Sequence, residues 1–200
     1  MRIAAALAVA LLAYPAANGY TAEDPALRKQ LAQLFPEAAS FSEKRGSPAH
    51  YEAFGKALAG GGPELLGYAY WTTELEPLER GYDGPIKILV GMDTSGVITG
   101  IIVTEDHEPY GYFSVELPEF AEQFKGKNVR DRFKVGEDID AITRATISVT
   151  SASRAVRNSS RRIARAYLTP PAEAPAKDGS AGSSRPTAAG NPAPSGPDGP

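Results

Sequence analysis

Cysteine is absent from the 200 residues of this chain. Disulfides, thiol nucleophiles, cysteine-ligated zinc and iron–sulfur clusters are therefore excluded. Histidine is nearly as scarce. His50 and His107 are the two in the sequence, so a Ser–His–Asp arrangement would have to use one of them, and neither has a supporting local motif. G-x-S-x-G, H-E-x-x-H, the P-loop and G-x-G-x-x-G are all missing. Gly60-Gly61-Gly62 is no phosphate loop, because no Gly-Lys-Ser/Thr follows it. Charge of one sign is also lacking. A formal net charge of -3 gives no electrostatic reason to expect nucleic acid as a partner. Long apolar runs reduce to one, Ile3 to Ala13, well short of the ~20 residues that a membrane span needs.

That run has a different meaning. Met1-Arg2 precedes it, and Ala17-Asn18-Gly19 follows as a small-residue cleavage site. This is the form of a secretory signal peptide over residues 1–19, and it predicts an exported, periplasmic or otherwise extracytoplasmic protein. Membrane association is then expected only through an uncleaved N-terminal segment or through a partner. At the other end, residues 169–200 are dominated by Pro, Ala, Gly and Ser. Such a stretch buries too little surface to offset its conformational entropy and is expected to be a disordered tail. Residues 20–168 remain, enough for one domain with a real core.

Asp24-Pro25 reads as an N-cap followed by proline at the first helical position, with Leu27, Leu31, Leu34 and Phe35 on one face. Ser47-Pro48 repeats the start signal, with Tyr51, Phe54 and Leu58 as the next stripe, so residues 20–64 are expected to be helical. The period then changes. Leu65–Trp71, Ile86–Val90 and Val97–Thr104 are short and rich in β-branched and aromatic residues, and Asp93-Thr94-Ser95-Gly96 joins the last two as a hairpin. A short helix is expected after Pro118, ended by Gly126. From Ile147 to about Tyr167, Val149, Ala152, Val156, Ile163 and Ala166 recur at helical steps. The order predicts an α+β fold: one small domain, an antiparallel sheet flanked by helices.

Asp140-Ala141-Ile142-Thr143-Arg144-Ala145-Thr146 opens that last helix. A hydroxyl there suits phosphate, because the first helical N–H groups are unpaired and the macrodipole favours negative charge. Arg144 could pair with phosphate oxygens. The alternative is an ordinary cap, for which Thr143, Thr146 and Ser148 are all suitable.

The stretch reads D-x-x-[ST]-x-A-[ST] and resembles the flavinylation motif of the FMN-binding domain family. That family includes extracytoplasmic flavin subunits of sodium-pumping and Rnf-type respiratory complexes and the flavin domain of a nitrous-oxide-reductase accessory protein. The order Gly81-Tyr82-Asp83-Gly84, Asp93 to Gly100, Asp106-His107-Glu108-Pro109 and the motif resembles the family over residues 65–168. The resemblance implies FMN, covalently bound through a phosphoester to Thr146. Asp140, Thr143, Ala145 and Thr146 would be recognised by a Mg-dependent flavin transferase that uses FAD as donor. Arg144, His107, Glu108, Tyr82 and Gly84 would lie near the cofactor. The implied role is electron transfer to redox partner proteins of an envelope chain, rather than independent catalysis. Two departures stand out: Arg144 replaces the family's usual Gly, and the turn is His-Glu-Pro instead of His-x-Glu-Thr-Pro-Gly. They favour the alternative, a non-catalytic regulatory or partner-binding module with FMN loose or absent.

Other candidates have plain readings beside functional ones. Asp106, His107 and Glu108 are consecutive, which is awkward for a metal site on a strand. His50 is expected at the surface or at a helix start. Tyr70 and Trp71 read as core before they read as flavin-stacking residues. Arg154, Arg157, Arg161, Arg162 and Arg165 read as a solvated face, with an acidic partner as the functional alternative.

Overall fold

A computed structural model describes residues 24–57, 62–108, 114–140, 142 and 145–168. The expected signal segment 1–19, the expected tail 169–200, and Thr143 and Arg144 lie outside the described residues.

The chain runs α1 (Pro25–Leu34), β1 (Ser40–Phe41), β2 (Tyr51–Ala57), β3 (Pro63–Trp71), α2 (Thr72–Leu75), β4 (Lys87–Asp93), β5 (Ile98–Glu105), α3 (Pro118–Glu122) and α4 (Thr146–Tyr167). The strands form one antiparallel sheet in the order β1-β2-β3-β4-β5. Each strand follows its sequence neighbour, so the sheet is a meander and the fold is α+β.

Alternation along the strands divides the core in two. Tyr70 faces α4 in a cluster with Ile88, Val90, Val149, Val156 and Ile163. Trp71 faces the opposite way, packing with Leu27, Leu31, Leu34 and Leu89 under α1. Both aromatics are core residues. α1 begins as its sequence predicts: the Asp24 carboxylate accepts the Ala26 N–H at 2.9 Å, and Pro25 opens the helix. The β4–β5 hairpin is held by Asp93, whose Oδ1 accepts the N–H groups of Ser95 (2.8 Å) and Val97 (2.9 Å). Gly96 takes the left-handed φ of 84° that the turn demands.

The second expected helix is a strand. Arg45 and His50 exchange both backbone hydrogen bonds at 2.9 Å, closing a turn around Ser47-Pro48. From Tyr51 onward the buried residues alternate, Tyr51, Ala53 and Gly55, which is period two. Tyr51 pairs with Ala69 and Ala53 with Gly67 on β3. The three-residue spacing of Tyr51 and Phe54 imitated a helical stripe, but it is Tyr51 and Ala53, two positions apart, that are buried on the sheet's α1 side.

α4 crosses the other face. Val149, Ala152, Val156 and Ile163 are buried as expected, whereas Ala166 is exposed. Ser159 and Ser160 complete the buried stripe by returning their hydroxyls to the Ala155 and Val156 carbonyls. Their small size allows the Tyr70 hydroxyl to donate to Ser160 Oγ at 2.7 Å, and burial pushes that phenol's pKa far up. The arginines of α4 are clamps more than a free basic face. Arg154 pairs with Glu79 at 2.8 Å and Arg162 with Glu76 at 3.0 Å. Arg161 donates to the Val129 and Asp131 carbonyls at 2.8 and 2.7 Å.

His50 is buried, not at the surface. Its Nδ1–H donates to the Pro48 carbonyl at 3.0 Å, and its ring packs 4.2 Å from that of Tyr167, near the end of α4. Tyr167 in turn donates its hydroxyl to the Pro48 carbonyl at 3.1 Å. Burial disfavours the imidazolium and holds His50 below its ordinary pKa; the Pro48 hydrogen bond opposes this and the Arg45 charge reinforces it. A depressed folded-state value means that the unfolded chain binds the proton first as pH falls. The stability is therefore complete above about 6.5, the unfolded value, and is lost as pH falls from there through the folded value. Urea midpoints taken from about pH 8 to about pH 5 should fall for the native chain more steeply than for His50→Phe. Parallel curves would remove His50 as the cause.

Candidate functional site

The end of β5 leads into a turn in which Asp106 Oδ1 accepts the Glu108 N–H at 3.1 Å. Glu108 is only 8% exposed, an unusual environment for a carboxylate. Its oxygens are satisfied by donors from two other segments. Oε2 accepts the Tyr82 N–H at 3.1 Å and Oε1 the Asp83 N–H at 3.2 Å. The Ser148 hydroxyl, from the first turn of α4, makes a close hydrogen bond to Oε2. Two amides and a hydroxyl thus replace the water that the carboxylate loses on burial.

The glycine at 81 has a steric cause. A β-carbon there would overlap Glu108 Oε1 and stand 3.0 Å from Ile86 Cδ1. The Gly81 N–H also donates to the Gly84 carbonyl at 2.6 Å, which closes the turn. Gly84 is different: a β-carbon there meets no atom of the described residues within 4 Å.

α4 starts without a side-chain cap. Ala145 occupies the N-cap position and Thr146 the first helical position, with no side-chain cap hydrogen bond among the described residues. Thr146 is exposed and Ser148 is turned away to Glu108. Neither of them caps this helix, and among the described residues no side chain does, which makes its first N–H groups and positive partial charge a setting that suits an anion.

The approach to α4 is also fixed. Asp138 accepts the N–H groups of Phe133 (2.9 Å) and Lys134 (2.6 Å), and Lys127 lies 3.5 Å away. Burial raises the Asp138 pKa, but these donors and the Lys127 charge outweigh it and hold the carboxyl below the usual value. The bonds support Phe133 at a φ of 50°, rare for a bulky side chain. The Asp140 N–H then donates to Gln123 Oε1 at 2.6 Å, tying the start of the motif to the end of α3.

Of the residues singled out by sequence, Tyr82, Glu108 and the beginning of α4 are joined through one carboxylate. His107 is exposed, as are Asp140 and Thr146, while Ala145 is buried. Thr143 and Arg144 fall outside the described residues. Three large apolar side chains stand exposed among the described residues, namely Leu78, Tyr82 and Ile147. Two of them, Tyr82 and Ile147, belong to the segments that Glu108 joins. Sequence reading missed Ser148 as Glu108's partner and Gly81 as the residue that admits the carboxylate. A serine three residues into a helix carries no signal of a contact 40 positions away. Among the described residues no group of three or more His, Asp or Glu is placed to hold a metal ion.

A comparison with protein families falls on this region. Residues 81–160 match the family model of the FMN-binding domain. Over 147 residues the chain is 27% identical to the regulatory protein NosR of Pseudomonas aeruginosa, covering 68% of this chain and 20% of that protein. It is 36% identical over 94 residues to a component of the ion-translocating oxidoreductase complex of Photorhabdus laumondii, 42% of this chain and 43% of that component. With a component of the Na(+)-translocating ferredoxin:NAD(+) oxidoreductase complex of Acetobacterium woodii it shares 30% identity over 104 residues, 48% of each. The chain thus spans a fifth of the first relative and less than half of the other two.

The two glycines of the turn should respond differently to the same change. Gly81→Ala forces the carboxylate out of its place and should cost about 1–3 kcal/mol by overpacking. Gly84→Ala should stay within about 0.5 kcal/mol. Urea unfolding of the two variants checks this, and equal losses would contradict the close approach at Gly81.

Proposed function

From the match of residues 81–160 to the family model of the FMN-binding domain, we propose that this protein is an exported flavoprotein. It carries FMN on Thr146 through a phosphoester and transfers electrons outside the cytoplasm. The observation that carries the reading is the contrast between two hydroxyls on one helical turn. Ser148 is buried and committed to Glu108, whereas Thr146 is exposed at a helix N-terminus that no side chain among the described residues caps. An anion held on Thr146 meets unpaired N–H groups and the positive end of the helix dipole.

The residues present fit the group. Thr146 would hold the phosphate, with Arg144 supplying a guanidinium two positions earlier in sequence. Tyr82, 71% exposed, and Ile147, 59% exposed, offer apolar surface to a planar ring. When bound, FMN supplies the redox chemistry, and the protein fixes its position and tunes its surroundings. A Mg-dependent flavin transferase with FAD as donor would install it. Relatives named as parts of ion-translocating complexes support redox proteins as partners. The charged start and apolar run at the N-terminus support export.

A second reading is a non-catalytic regulatory module with FMN loose or absent. Arg144 at the family's usual Gly position favours it, and one relative is named a regulatory protein.

Intact mass and in-gel flavin fluorescence after denaturation separate the two, on protein co-produced in the periplasm with a flavin transferase. The native chain should carry one FMN mass, mapped to the Thr146 peptide. Thr146→Val should lose it completely while keeping the native unfolding midpoint. A bare polypeptide mass and a colourless native protein would favour the module, and covalent flavin that persists in Thr146→Val would move the attachment elsewhere.

A further inference from the structure

Building on the flavin reading above, we propose that Glu108 is a positioning residue and not a cofactor ligand. Its carboxylate clasps the Gly81–Gly84 turn onto the first turn of α4, and so presents Tyr82 as the side chain that meets the flavin ring.

The argument starts from what the carboxylate has left to give. Its two oxygens accept Tyr82 N–H, Asp83 N–H and the Ser148 hydroxyl, and they lie buried against Gly81. A cofactor atom reaching Glu108 would have to open the packing that buries the carboxylate against Gly81, or displace one of these donors and leave it unpaired, and both are unfavourable. The clasp therefore acts through what it holds. It fixes the backbone of Tyr82 and leaves the ring exposed, an arrangement that presents a side chain without the entropy cost of ordering its loop at binding. Leu78 is more exposed still, at 93%, but belongs to a part of the loop held differently. Glu76 and Glu79 flank it and pair with Arg162 and Arg154 on α4. Loss of the Glu108 carboxylate thus frees the tip at 81–84 while the rest of the loop stays clamped, which makes the effect local.

Amide hydrogen exchange on the full-length, unloaded protein reads the clasp directly. Glu108→Ala should speed exchange at Tyr82 and Asp83 by about tenfold or more, with β4 amides unchanged. Glu108→Gln, which keeps one acceptor oxygen, should fall between, and it serves as the test should the alanine variant not fold. Unchanged exchange in Glu108→Gln and Glu108→Ala overturns the clasp, whether or not the protein carries flavin.

Flavin fluorescence on the loaded protein then reads Tyr82, because a tyrosine ring in contact quenches flavin emission. Tyr82→Leu and Glu108→Ala should each raise the emission, and the double variant should raise it no further. Emission unaffected by Tyr82→Leu overturns the role given to that ring. A wild-type protein that holds no flavin defeats the flavin reading and Tyr82's role with it, and leaves the clasp to be decided by exchange.

Discussion

The hydrogen bonds at Glu108 impose a constraint that propagates through the domain. A carboxylate buried to this degree is unfavourable unless donors replace its water, and here the donors come from two segments far from it in sequence. The turn at residues 81–84 must supply two adjacent N–H groups, so it closes on itself through the Gly84 carbonyl. α4 must present a serine on its inner face within its first turn. Residue 81 can have no side chain, because the carboxylate fills that space. One interaction therefore dictates a glycine, a turn and the rotational setting of a helix.

α4 transmits this setting along its length. Its rotation is fixed at the beginning by Ser148 and farther along by the fit of Tyr70 against Ser160. The outer side is secured by guanidinium groups that reach back to residues 76–79 and 129–131. Near its end, Tyr167 lies against His50. The exposed ion pairs add modest energy individually. Their value is geometric, since each ties a loop to a rigid element. Apolar burial against the sheet supplies the stability on which that geometry rests.

Local signals were legible in the sequence where the cause was local. The Asp24-Pro25 start of α1, the Asp93–Gly96 hairpin and the period of α4 all depend on residues within a few positions, and the structure contains each of them. The strand at Tyr51–Ala57 was misread because two aromatics three positions apart satisfy a helical stripe, while pairing with β3 decides the outcome. His50 gave no sign of burial, since its neighbours Pro48 and Tyr167 are brought together by the turn and by the far end of α4. Arg154 and Arg161 read as part of a solvated basic face because their acceptors lie 30 or more positions away, two of them backbone carbonyls with no signature at all. At the candidate site, three of the ordered motifs lie on or beside segments that the structure brings together. What they did not contain was the role of Glu108 in joining them.

The bonds that assemble the site close loops of 25, 26 and 40 residues. Contacts of such separation form only after much of the chain has been ordered, because loop closure must be offset by other interactions. A nascent or unfolded chain therefore displays the D-x-x-[ST]-x-A-[ST] stretch with Thr146 and Ser148 equally open, as two hydroxyls with little to distinguish them. Folding removes one and leaves the other. Chemical choice between neighbouring residues here is a property of tertiary structure, imposed after synthesis and lost again on unfolding.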